Sequence, residues 1–193
     1  MNKLLAATAL AALALSACKE QGTSISNNQT QGTTDEASID NSVASDGNMG
    51  AAANASADQA YVQNAAASDM FEVESSKLAL DKAVKPSIKT YAQMMIDEHG
   101  KSTTELKAAA AQSGIPVPAA LPPELQTKIE SLKTKRGAEF DTLYLGDQRA
   151  GHQDTLAKVN AYLAAAPAGP LKDHASKVSG VVQKHLNSLE KIK

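Results

Sequence analysis

An all-α bundle of four long helices is the fold this sequence predicts. Three observations point to it. Four stretches after residue 57 carry apolar residues at i, i+3/i+4 spacing over many turns, and prolines or glycines punctuate them. No stretch alternates apolar and polar residues as a half-buried strand would. Four tyrosines, two phenylalanines and no tryptophan leave Ala, Leu, Val, Ile and Met to fill the core, which suits close-packed helices better than sheets.

The chain has 193 residues, and its first part reads as an address. Met1-Asn2-Lys3 is a short basic start, and Leu4 to Leu15 is an Ala/Leu run too short for a spanning helix, which needs ~20 residues. The run ends in Leu15-Ser16-Ala17-Cys18, the pattern of a bacterial lipobox. Residues 1–17 are therefore expected to be a lipoprotein signal peptide, and Cys18, the single cysteine, the lipidated residue. The expected location is across the inner membrane, in the periplasm and lipid-anchored. Lys19 in place of Asp after the cysteine points to the outer membrane.

Residues 18–57 read as a disordered tether. Past Cys18, its larger apolar groups are Ile25, Ile39, Val43 and Met49, and it sets Lys19 against Glu20, Asp35, Glu36, Asp40 and Asp46. Such a segment buries too little surface to offset ordering entropy. As a flexible chain it would reach ~31–37 Å.

Residues 58–193 form the expected domain. Asp58 can cap a first helix running to about Val84 through Tyr61, Met70, Phe71 and Leu78. Pro86 starts a second, to Gln112, with Ile88, Tyr91, Ala92, Met95, His99, Ser102 and Leu106 on its inner stripe, and Gly114 ends it. A proline-rich connection leads to a short helix from Pro123 to about Lys133. A third long helix spans Gly137 to Ala165, and a fourth runs from Pro170 to near the C-terminus. The connection and short helix between the second and third long helices supply enough chain for a crossover. With 17 basic and 16 acidic residues and no basic block, this part has no cationic face for nucleic acid.

All four histidines project toward apolar stripes. Positions eleven apart in a helix lie within about 20° of each other. His99 is eleven after Ile88, His152 eleven before Leu163, and His174 and His185 eleven apart beside Leu171 and Leu189. In the first helix Glu72 is placed inward and Glu74 outward. A carboxylate from Glu72 with imidazoles from His99, His152 and His185 would suit Zn, Cu, Fe or Mn. Asp97, Asp141, Tyr144 and His174 are the candidates to hold their second ring nitrogens. The competing expectation is a metal-free buried network that fixes helix register, and no motif dictates any cofactor. No Glu-x-x-His occurs: Ile96, Arg149, Leu171 and Val182 stand three residues before the four histidines. That spacing excludes the usual di-iron motif. No catalytic residue is assigned, and the expectation is a non-enzyme.

Several motifs together resemble a known family. They are Phe71-Glu72-Val73-Glu74 with Lys77-Leu78-Ala79, Tyr91-Ala92-Gln93-Met94-Met95-Ile96-Asp97 with His99, Gly137-Ala138-Glu139-Phe140-Asp141 with Tyr144 and His152, and His185-Leu186. From Asp58 to Lys193 the chain resembles the bacterial domain of unknown function 4142 family, grouped with the ferritin-like bundles. The resemblance implies a ferritin-like four-helix bundle with a short extra helix between helices 2 and 3, and brings no activity. Glu98 standing between Asp97 and His99 departs from the family's adjacent Asp-His, and the Leu-Pro before its last histidine is absent.

Two functions are thus expected: an envelope lipoprotein with a structural, stress-response or interaction role, its membrane partner met through the lipid and its protein partner unidentified; or a buffer or sensor of a transition metal using the Glu/His cluster.

Overall fold

The computed structural model describes residues 46–193, with side chains from residue 52 onward. The leader, Cys18 and the tether up to residue 45 lie outside the described residues. Five helices make up the rest: α1 Asp46–Lys82, α2 Pro86–Gln112, α3 Pro123–Thr134, α4 Gly137–Ala165 and α5 Pro170–Leu189. Among the described residues there is no strand, and no helix is long and apolar enough to cross a membrane.

Punctuation in the sequence sets most boundaries. Pro86, Pro123 and Pro170 occupy first-turn positions, where a missing N–H costs nothing and the fixed φ already fits a helix. After α2, Gly114 takes φ +67° while Gly114 N–H bonds Ala111 O and Ile115 N–H bonds Ala110 O. That pair is a Schellman stop, and Ile115 packs onto the core beside Ala110.

The start of α1 is a correction. The helix begins at Asp46, twelve residues before Asp58, so the last part of the expected tether is helical. Asp58 is no cap; it lies inside α1 and accepts a 2.6 Å hydrogen bond from Tyr162 Oη.

Two apolar clusters give the topology. One joins Tyr61, Val62 and Ala66 of α1 to Leu106 and Ala110 of α2, Val159 and Tyr162 of α4, and Leu171 and Ala175 of α5. The other joins Ala79 and Ala83 of α1 to Ile88, Tyr91 and Met95 of α2, Phe140 and Tyr144 of α4, and Leu189 of α5. Between the two clusters α1 and α5 therefore run one way, α2 and α4 the other. Each short connection makes an antiparallel hairpin, and α1 packs on α2 and α4 while α5 packs on α4 and α2. Joining the hairpins takes a crossover from one end of the bundle to the other, the arrangement of ferritin-like bundles. Helix α3 lies on that crossover against α1 and α4, with Ile129 and Leu121 on Phe71 and Lys128 3.1 Å from Asp147.

A polar layer separates the apolar clusters. Asp69, Glu72, Ser75 and Ser76 of α1, His99 of α2, Gln148 and His152 of α4, and His185 of α5 are all buried at mid-height. A core with this much polar chemistry loses stability unless each group finds a partner.

Candidate metal centre

Three of the four histidines meet in this layer. The ring centroids of His99, His152 and His185 stand 5.1–5.7 Å apart, and one nitrogen of each lies within 4.8 Å of the others. His152 Nε2 is 3.0 Å from His185 Nδ1. Each ring comes from a different helix, because the hairpin registers set these three positions at one level.

The ring nitrogens pointing away from the cluster have acceptors. His99 Nδ1 donates to Asp69 Oδ1 at 2.8 Å, and Thr103 Oγ1 steadies that carboxylate by donating to Oδ2 at 3.2 Å. His152 Nδ1 donates to the carbonyl of Gln148 at 2.8 Å. His185 Nε2 donates to Glu98 Oε2 at 2.7 Å. Since carbonyl and carboxylate oxygens only accept, these contacts assign the proton of each neutral ring to its outer nitrogen. The inner nitrogens are then lone pairs, and two of them face each other at 3.0 Å. Such a contact is repulsive unless a proton or a cation lies between them. His99 Nε2 is buried and has no hydrogen-bond partner.

Electrostatics sharpen this picture. Burial holds His152 in its neutral form, lowering its pKa to about 3, and the neighbouring His99 and His185 act the same way. Burial also lowers His185, aided by His99 and opposed by Glu98. At His99 burial again works against the charge, yet the Asp69 hydrogen bond and the fields of Glu72, Asp69 and Glu98 outweigh it and raise the pKa. The Glu72 carboxyl, fully buried, is pushed up to about 7 by desolvation, with His99 and the Gln148 side chain pulling the other way.

Comparison with known proteins adds the family. The family model described as domain of unknown function DUF4142 matches residues 43–192. The chain belongs to the DUF4142 family. The DUF4142 match begins close to the observed start of α1 rather than at Asp58. A crystal structure from Streptomyces coelicolor, described as a secreted DUF305 protein, is similar to the DUF4142 chain at TM-score 0.59. It is 13% identical and covers 69% of this chain and 88% of its own. At that identity the likeness is one of fold alone. No curated protein matches the sequence.

The structure separates the expected site residues of this DUF4142 domain into two groups. His99, His152 and His185 come together. Glu72 is inward, as Glu74 is not, but it stands beside the cluster: its Oε1 is 3.6 Å from His152 Nδ1, and its Oε2 has no partner. None of the four residues expected to hold the rings does so. Asp97 is exposed and accepts from Gln93 within α2. Asp141 accepts from the backbone N–H groups of Val84 and Lys85 at 3.1 and 3.3 Å, clamping the corner between α1 and α2. Tyr144 bonds Ser76 at 2.8 Å within the apolar cluster. His174 lies three turns from His185, bonded to Tyr61 Oη at 2.7 Å beside the stacked Tyr61–Tyr162 pair.

Sequence reasoning missed the three groups that do hold the rings. Asp69 is three residues before Glu72 on the same face of α1, a spacing that could have found it. Glu98 stood out in the sequence only as the residue that separates Asp97 from His99. The Gln148 carbonyl leaves no mark in a sequence at all.

Proposed function

We propose that this DUF4142 protein binds a divalent transition-metal ion through His99, His152 and His185, as a metal buffer or sensor tethered at the cell envelope by Cys18. One observation carries the reading: three buried imidazoles from three helices turn their lone pairs inward while oxygen acceptors hold every outer nitrogen. Metal-binding histidines are held in this way almost without exception, since the acceptor fixes the tautomer and raises ligand basicity. The spacing supports it too. Nitrogens ~2.0–2.1 Å from a zinc-like ion stand roughly 2.9–3.4 Å apart, and the His152–His185 pair is at 3.0 Å. The three nitrogens lie within 4.8 Å of one another, so His99 would close the triangle by moving inward by up to ~1.4–1.9 Å. Asp69, Glu98 and Glu72 surround the site with acidic groups that suit a divalent charge.

An all-imidazole set favours Zn, Cu, Ni or Fe over Mg or Ca. A binding role rather than an enzymatic one is supported by the sequence, in which no Glu-x-x-His carries a second metal. The lipobox and the leader before it support the envelope location.

The test is a chelator-competition titration of the full chain, purified without a polyhistidine tag, with Zn(II), Cu(II) and Co(II). One ion per chain is expected, with affinity reduced at least ~100-fold in His99→Ala and His185→Ala, circular dichroism confirming that both fold. Absence of binding, or binding that ignores both substitutions, would leave a metal-free polar network that fixes packing.

A further inference from the structure

A cleft of about 790 Å³ reaches the histidine cluster from the surface. Its lining includes Glu72, His99 and His185 at the depth of the polar layer and Lys101, Lys177 and Lys184, all exposed, nearer solvent. The bundle offers four helices around the cluster, but imidazoles come from only three. The fourth, α1, presents Glu72, whose carboxylate lies on the outer-nitrogen side of His152, 3.6 Å from Nδ1, and outside the set of converging nitrogens. Opposite this carboxylate α4 places Gly151, where a Cβ would lie 3.4 Å from Glu72 Oε1, so side-chain atoms leave that flank clear.

Resting on the metal-binding reading above, we infer that an ion held by the three histidines keeps a coordination position open to this cleft, where it takes solvent or a small monoanionic donor. A closed structural site surrounds its metal with four protein ligands, whereas three protein ligands and an accessible fourth position mark sites whose metal meets exogenous molecules. Two features here are independent of the histidine geometry. One is the cleft itself, which reaches two of the three rings. The other is the buried Glu72 Oε2 on its wall, a polar atom with no hydrogen-bond partner in the protein. The cleft lining carries five lysines against six acidic residues, so its net charge does not select the visitor; the lysines near the opening supply local positive charge. Lys101 and Lys177 share Glu105 at 3.8 and 3.1 Å, and Lys184 stands next in sequence to His185.

Cobalt(II) loading followed by azide titration separates this inference from the reading beneath it. Visible d–d absorption on adding Co(II) to the full chain, lost in His99→Ala, reports the metal site itself; without it the metal-binding reading fails. In the loaded protein, saturable change of those bands with azide is expected. A spectrum that does not respond to azide in large excess means a closed site, with Glu72 or another protein group as fourth ligand, and overturns the open position while leaving metal binding intact. Lys184→Glu reverses one charge at the cleft and should weaken azide roughly three- to tenfold with the cobalt spectrum unaltered. Unchanged azide affinity in that variant would place the anion away from the cleft and overturn the inference as well.

Discussion

Replacing Glu72 by Gln should stabilise the metal-free domain at alkaline pH, although it alters a fully buried core residue. The carboxyl is 2% exposed, one of its oxygens has no partner, and desolvation raises its pKa from 4.5 to about 7. A folded-state pKa above the unfolded one means that the native state holds a proton the unfolded chain has released. Its contribution to stability is therefore complete below pH 4.5 and is lost as pH rises through about 7. At 1.36 kcal/mol per pK unit, ionising the buried carboxyl fully costs about 3 kcal/mol, of which about 2–3 kcal/mol falls between pH 5 and 8.5. Gln has nearly the same shape and does not titrate, so the difference in stability between variant and wild type should move in the variant's favour by that amount. For a domain of this size the change corresponds to ~5–10 °C in melting temperature. The assay is thermal or urea unfolding of chelator-treated protein at the two pH values. His152, whose pKa is depressed, destabilises both proteins alike on acidification below the unfolded value of 6.5 and cancels in the comparison, whereas His99, raised in part by Glu72, loses that part in the variant and shifts the difference in the same direction. A Glu72→Gln difference that stays the same at pH 5 and 8.5 would refute the raised pKa of the buried carboxyl.

Three other outcomes follow from the same geometry. Asp69→Asn removes the carboxylate that holds His99 Nδ1 and should lower metal affinity ~10–100-fold in a competition titration while the far-ultraviolet spectrum remains helical. Asp141→Ala frees the N–H groups of Val84 and Lys85, and should cost about 1–3 kcal/mol in urea unfolding with metal affinity unchanged; a matching loss of affinity would return Asp141 to the site. Since His99 is raised above its ordinary value, protons compete with metal from neutral pH downward. Affinity should fall about tenfold per pH unit once that ring is protonated, measured by repeating the titration at pH 8, 7 and 6.

Helix boundaries were legible where the chain is punctuated. Proline and glycine place the ends of α2, α3, α4 and α5 to within a residue or two because their backbone chemistry acts locally. The start of α1 was hidden because residues 46–57 bring no apolar stripe. Ala52, Ala53 and Ala55 supply intrinsic propensity without packing, and residues 52–56 are exposed. Periodicity shows which face a residue takes, so His99, His152, His185 and Glu72 were all found inward. It says nothing about height along a bundle, which the hairpin registers determine. For that reason His174, equally inward in the sequence, lies three turns away. The partners of the rings depend on which helices become neighbours. Glu98 reaches His185 only because the crossover brings α5 against α2, and Asp141 is spent on a corner that its helix face did not announce.

X-ray absorption at the zinc edge on the loaded full chain reports whether His99, His152 and His185 share one ion. Three nitrogen scatterers at ~2.0–2.1 Å with the outer-shell pattern of imidazole rings are the predicted result, reduced to two rings in His185→Ala. A first shell of oxygens with no imidazole signature, or an identical spectrum in His185→Ala, would contradict the shared site.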